Sequence, residues 1–122
     1  YPALAEAGTF HTGAIEDIVP EFDDDAFDIV YSVETLQHIH PDNEGVFDEL
    51  GRITGDLLVT VESEGEKPDE RDTDETVRVD GEFPLYLRNW NDVFTDVGFT
   101  QQLRHASTPD TIRVFTTPER PR

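Results

Sequence analysis

The run Phe27-Asp28-Ile29-Val30-Tyr31-Ser32-Val33 most constrains what this chain can become. It is β-branched and aromatic, nearly all apolar, and preceded by turn-forming acids, which predicts a strand. A strand apolar on both faces predicts a central place in a parallel sheet covered on both sides. Val46, Phe47, Leu50 and Ile53 follow at helical spacing, with His40-Pro41-Asp42-Asn43 as the start of that helix and Gly55 as its end. Residues 56–61, Asp-Leu-Leu-Val-Thr-Val, read as a second buried strand. Strand, helix, strand is the unit of an α/β layered sheet.

The remaining segments extend this pattern. Residues 1–7 read as the tail of a helix stopped at Gly8, residues 9–12 as a short strand, and residues 13–18 as the turn and loop after it. Residues 19–25 form an acidic connector. Residues 62–80 are rich in acids and nearly without core residues, which predicts a flexible acidic loop; a substrate lid and a plain solvent-facing loop fit that composition equally. Phe83, Leu85, Tyr86 and Leu87 bring back an apolar patch. Asn89 is placed to cap a short helix whose stripe of Trp90, Val93, Phe94 and Val97 packs in the core, with Gly98 closing it. Residues 99–106 and 111–116 read as two strands; the turn-like Ser107-Thr108-Pro109-Asp110 between them makes the pair antiparallel. The 122 residues make one domain with a modest core.

Charge excludes some partners. The chain carries 28 Asp+Glu against 9 Lys+Arg, a net charge of -19, and Lys67 is its one lysine. Such a surface repels nucleic acid and anionic membranes. Disorder is the first explanation for so acidic a chain, but the apolar runs oppose it. An acidic patch for a basic partner is the second, but the acids lie in every segment. Halophilic adaptation fits best, because self-repulsion is screened once the Debye length falls to roughly 3 Å at 1 M salt. No Cys is present, which excludes disulfides and thiolate chemistry. No apolar stretch is long enough to span a bilayer and no signal peptide is apparent, so a soluble cytoplasmic protein is expected. The chain begins at Tyr1 and has no Met, which leads us to expect a processed, cloned or truncated start.

In open α/β sheets ligands bind at the carboxyl ends of the strands. Three segments fall there: residues 13–18, residues 32–39 and Glu62-Ser63-Glu64. The stretch GAIEDIVPEFDDDAFDIVYSVETLQHI resembles the middle of class I S-adenosylmethionine-dependent methyltransferases: a glycine-acidic turn, an acidic spacer, Phe-Asp entering a strand, then a small-residue turn with Leu and His-Ile. VFDELGRITGDLLVTVE continues the resemblance, and RNWNDVFTDVGF before a late hairpin resembles the family's end. The implied fold is a Rossmann-like methyltransferase sheet with helices on both faces and a C-terminal antiparallel hairpin. Its first strands are expected to be missing, since no G-x-G turn occurs in the chain and residues 9–12 match the family's third strand. The implied cofactor is S-adenosyl-L-methionine.

The resemblance implies roles for particular residues. Ile15 and Glu16 match positions beside the adenine of the cofactor, with Ile15 packing on the ring. Ala14 stands where the family often has an Asp for the adenine amino group; Glu16 or Asp17 would have to replace it, and both fit equally as surface acids. Ser32, Val33 and Glu34 match the turn beside the methionine part, where Glu34 would face the cofactor's positive end or a substrate amine. His38 matches a position near the substrate mouth and would act as a base. As alternatives, Glu34 fits a solvated loop acid and His38 a cap or packing residue. Methyl transfer needs alignment and water exclusion more than acid–base machinery. The acceptor is expected to be a small molecule, the truncated chain alone to be inactive, and its exposed sheet edge to offer an oligomer contact.

Two rivals compete. His38-Ile39-His40-Pro41-Asp42-Asn43 mimics part of the H-x-H-x-D-H zinc motif of metallo-hydrolases, with Asn43 in place of the last His and His105 as the only histidine downstream. No metal site is expected on that count. The second rival is a non-catalytic, methyltransferase-like interaction domain.

Overall fold

The computed structural model describes residues 2–64, 75–78, 84–106 and 110–117. The elements run α1 (Pro2–Ala7), α2 (Ile15–Ile18), β1 (Phe27–Val33), α3 (Gly45–Ile53), β2 (Thr54–Ser63), β3 (Glu75–Arg78), β4 (Pro84–Leu87), α4 (Trp90–Val97), β5 (Thr100–Ala106) and β6 (Asp110–Thr116). Short 3-10 turns occupy Val19–Glu21, Leu36–His38 and Pro41–Asn43. One sheet has the order β1-β2-β6-β5, and β3 and β4 form a separate antiparallel pair. β1 and β2 are parallel, while β6 runs antiparallel to both β2 and β5.

The register puts alternate residues of the sheet on one core face. Val30, Leu58 and Phe115 lie side by side across β1, β2 and β6. On this face Leu36, Val46, Phe47, Leu50, Ile53, Trp90, Phe94 and Phe99 complete one buried cluster, which Ile15 of α2 joins from its margin. Each such side chain contributes about 1.5–3 kcal/mol when removed from water. Phe94 is its centre: Trp90 stacks on it at 5.8 Å, and Phe47, Phe99 and Phe115 meet it at 6.0, 5.8 and 5.4 Å.

Helix α4 forms as its ends dictate. Asn89 Oδ1 accepts the Asn91 and Asp92 N–H groups at 2.9 and 3.3 Å. Gly98 takes φ 114°, a conformation that excludes most side chains, and Phe99 N–H reaches back to the Phe94 carbonyl at 2.9 Å. Arg88, just before it, is fully buried among the rings of Phe47, Tyr86 and Trp90, bonds Glu44 at 3.0 Å and donates to the Ile39 carbonyl at 2.8 Å. It thereby fastens β4 to the start of α3.

Several expectations are corrected. Residues 9–12 form no strand: they are exposed, and no described strand lies beside them to complete a ladder. Residues 15–18 of the expected loop form a helical turn, with Ile18 N–H bonding the Ala14 carbonyl at 3.1 Å. Gly55 does not end α3; Thr54 is its cap, and Gly55 lies inside β2 where an added Cβ would come within 3.1 Å of the Phe27 carbonyl oxygen. The expected loop 62–80 is partly ordered: residues 62–63 finish β2, Glu62 and Glu64 are buried, and residues 75–78 pair with β4. Residues 65–74 and 79–80 of that loop, Phe83, and residues 107–109 of the late turn lie outside the described residues.

β1 is an edge strand among the described strands, not a central one. Apolar composition records what a strand is able to bury, whereas its place depends on which partners reach it. Among the described residues α2, α3 and α4 all join the single core cluster on one face of the sheet. On the other face Ile29, Tyr31 and Val33 are 59%, 73% and 52% exposed. No helix among the described residues is long and apolar enough to cross a membrane.

Candidate functional site

The parallel strands β1 and β2 end side by side, Val33 opposite Val61. The chain turns sharply after β1. Glu34 N–H extends the ladder to the Val61 carbonyl at 2.8 Å, and Glu34 then takes φ 48°. A left-handed conformation costs a non-glycine residue roughly 1–2 kcal/mol, so the surrounding bonds must hold it.

Those bonds converge on Glu62, fully buried at the end of β2. Its Oε1 accepts the Thr35 N–H at 2.7 Å and the Gln37 N–H at 3.0 Å. Its Oε2 accepts the Ser32 hydroxyl at 3.1 Å. The clasp is reciprocal: Gln37 Oε1 accepts the Ser63 N–H at 2.6 Å. Burial pushes the Glu62 carboxyl above the ordinary carboxylate range, and the donors at Gln37, Ser32, Thr35 and Leu36 pull it back in part. Asp110 opens β6 opposite Ser63. Burial first, and then the neighbouring Glu34 carboxyl, push Asp110 upward as well.

Beside this turn lies a cleft of about 280 Å³ along β1, walled by α2, α3 and the strand. Ile15, Val19, Leu36 and Leu58 line it, with Ser32 among the few polar groups. The fold thus brings Ile15 and Ser32, which lie far apart in sequence, to one cavity. Glu16 is half-buried on the same helical turn but does not line the cavity. Val33 and Glu34, which follow Ser32, are exposed and do not line the cavity, and His38 is exposed on the 3-10 turn beyond. A largely apolar slot whose hydroxyl-bearing residues are Ser32 and Tyr31 suits the face of a flat heterocycle or an alkyl chain carrying a polar end.

Sequence reasoning placed Glu62 in a site-bearing segment but missed its role. The signal was present: Leu58, Thr60 and Glu62 alternate with period 2, so the face that buries Leu58 also buries Glu62. Asp110 was assigned to the turn; it begins β6, opposite Ser63. The metallo-hydrolase-like stretch serves locally instead. His40 Nδ1 accepts the Asp42 N–H at 3.0 Å and its ring meets Tyr86 edge-on at 5.5 Å. Among the described residues no group of three or more potential ligands could hold a metal ion.

Residues 3–56 match the profile of the methyltransferase domain family. No curated protein sequence matches the chain. Among solved structures, 1,6-didemethyltoxoflavin-N1-methyltransferase of Burkholderia thailandensis, with 1,6-didemethyltoxoflavin and S-adenosylhomocysteine bound, is similar with TM-score 0.75 and 13% identity, over 97% of this chain and 56% of that one. An S-adenosylmethionine-dependent methyltransferase of Methanosarcina mazei gives TM-score 0.66 and 13% identity, over 89% and 66%. A protein of Pyrococcus horikoshii gives TM-score 0.65 and 16% identity, over 97% and 64%. The chain therefore spans between 56% and 66% of the length of these structures. The family match covers residues 3–56, less than half of the chain, and the structural likeness over most of the chain is one of fold, a Rossmann-like α/β sheet of the kind found in methyltransferases.

Proposed function

We propose that this chain forms one wall of the S-adenosylmethionine site of a methyltransferase whose acceptor is a small molecule. The observation that carries the reading is the cleft along β1, which runs from Phe27 at the start of the strand to Ser32 near its carboxyl end and takes in Ile15, in a fold shared with methyltransferases. The apolar slot fits the adenine, with Ile15 against the ring and Glu16 beside it. Ser32, Val33 and Glu34 border the methionine part. Bound S-adenosylmethionine supplies a methyl group already activated on a sulfonium. The chain's own task is then to orient, to exclude water, and to place charge. Glu34, next to Asp110, faces the positive end of the cofactor or an amine of the acceptor, and exposed His38 serves as a base at the acceptor side.

Support for a small acceptor comes from the Burkholderia enzyme, solved with such a molecule bound, and from a net charge of -19 that disfavours nucleic acid. The same charge supports a salt-adapted protein. The chain's length relative to its structural neighbours supports a partial domain, poorly active by itself. The test is calorimetric titration of S-adenosylhomocysteine, in molar KCl, into this chain and into the full product of its gene. Binding by the full product, weak or lost in this chain, supports the reading; a folded full product that binds none overturns it.

One observation favours a second reading. Among the described strands β1 is an edge, and Ile29, Tyr31 and Val33 on it are exposed. An edge of this kind is a template for pairing, which supports an interaction domain that associates through β1. Light scattering across a concentration series tests it: a monomer at all concentrations sinks the oligomer contact.

A further inference from the structure

The acid at the end of β2 is costly where it stands. Burying a carboxylate without a cationic partner costs several kcal/mol, and the groups that meet Glu62 are neutral dipoles. An apolar side chain would suit the core face that holds Leu58 and Phe115 better. What the acid achieves is local. The 3-10 turn Leu36–His38 has no cap of its own, since Thr35 makes no side-chain cap bond and its hydroxyl donates to the Val33 carbonyl at 3.0 Å. Glu62 reaches across from the neighbouring strand and accepts the N–H groups that such a turn leaves unsatisfied. Its second oxygen accepts the Ser32 hydroxyl hydrogen. A hydroxyl has a single hydrogen. While Glu62 is ionised that hydrogen is committed to it, and the Ser32 oxygen can offer the cleft only lone pairs.

We propose that Glu62 is a positioning residue of this site: it holds the 35–37 turn and sets the polarity of the Ser32 hydroxyl, so that the ligand group seated beside Ser32 is an N–H or O–H donor. The geometry stands independently; the identity of the ligand rests on the S-adenosylmethionine reading.

Two variants separate the two tasks. In Glu62→Gln the amide oxygen still accepts from Thr35 and Gln37, while the amide nitrogen now donates to Ser32 and turns the hydroxyl hydrogen into the cleft. In Glu62→Leu the turn loses its acceptor altogether. The first experiment needs no ligand. Hydrogen exchange is measured at the Thr35 and Gln37 amides of this chain. Glu62→Leu is expected to exchange about tenfold faster there, as the loss of a hydrogen bond worth about 1.4 kcal/mol predicts, with α4 unchanged and Glu62→Gln close to the parent. Undiminished protection in Glu62→Leu overturns the hold on the turn.

The second experiment is a double-mutant cycle of Glu62→Gln with Ser32→Ala in the full gene product, read by titration with S-adenosylhomocysteine. Glu62→Gln is expected to weaken binding about tenfold when Ser32 is present and by almost nothing when residue 32 is Ala, because one inverted hydrogen bond is worth about that much. Equal weakening in both backgrounds, or none in either, overturns the polarity assignment. A parent that binds no S-adenosylhomocysteine overturns the ligand reading and the polarity assignment with it; the exchange experiment alone then decides whether Glu62 holds the turn.

Discussion

Arg113 holds Glu64 through two parallel contacts of 2.9 Å, Nε to Oε2 and Nη2 to Oε1, with both side chains all but withdrawn from water. The guanidinium also donates from Nη1 to Gln101 Oε1 at 2.6 Å, so one cation joins the exit of β2 to β6 and β5. Its fork geometry matches a carboxylate better than any lysine would. Removing one partner leaves a buried charge. Glu64→Ala is expected to destabilise by about 3–5 kcal/mol, whereas Glu64→Leu with Arg113→Met loses much less. Urea denaturation of the two variants in molar KCl checks the difference; an equal loss in both sinks the argument.

Gly51 marks where α3 and α4 touch. A Cβ there would lie 2.5 Å from Val97 Cγ1 and 3.2 Å from the Phe99 ring. Gly51→Ala should therefore destabilise by about 1–3 kcal/mol despite its better helix propensity. Val97→Ala makes room, so the double variant should recover part of the loss. Denaturation midpoints of the four proteins decide this, and a simple sum of the two single effects contradicts it.

Glu34 is expected to respond to backbone preference. At φ 48°, Glu34→Gly relieves strain, while Glu34→Val adds a β-branched clash of roughly 1–2 kcal/mol. Thermal unfolding should rank Gly at or above Glu, and Val lowest. A Val variant as stable as the parent would show that the turn is held in some other conformation in solution.

Stability should depend on pH through Glu62. Burial lifts its folded carboxyl above the ordinary value of 4.5. The folded protein then keeps a proton that the unfolded chain releases. Stability from this group is greatest below 4.5 and falls as pH rises from there through the raised folded value. Asp110 works in the same direction from its ordinary value of 3.8. Glu62→Gln carries no such proton. Its stability relative to the parent should improve as pH rises from about 4.5 through the raised folded value and level off above it, and a difference that is flat across that window falsifies the assignment.

Salt should matter more than usual. With a net charge of -19, self-repulsion opposes compaction until it is screened. The melting temperature is expected to climb between about 0.1 M and 1 M KCl, as the Debye length falls from roughly 10 to 3 Å. A melting temperature unchanged over that range removes the case for salt adaptation.

Much of the architecture was legible along the chain, because its signals are local. The apolar runs of β1 and β2, the helical spacing of Val46, Phe47, Leu50 and Ile53, and the Asn89 and Gly98 ends of α4 each act within a few residues. A short connection between β5 and β6 also leaves little choice but an antiparallel pair. These determine the α/β class and the resemblance that rests on it.

Tertiary structure decided what depends on distant partners. A strand exists only if another strand meets it, so residues 9–12 remain irregular, while 75–78, in a stretch poor in core residues, find β4. Whether β1 lies at a centre or an edge is settled by what reaches its sides, which its own composition does not record. An acid is buried when its register demands it and distant donors make that tolerable. Glu62 met both conditions only once Ser32, Thr35 and Gln37 had been brought to it from the neighbouring strand and turn.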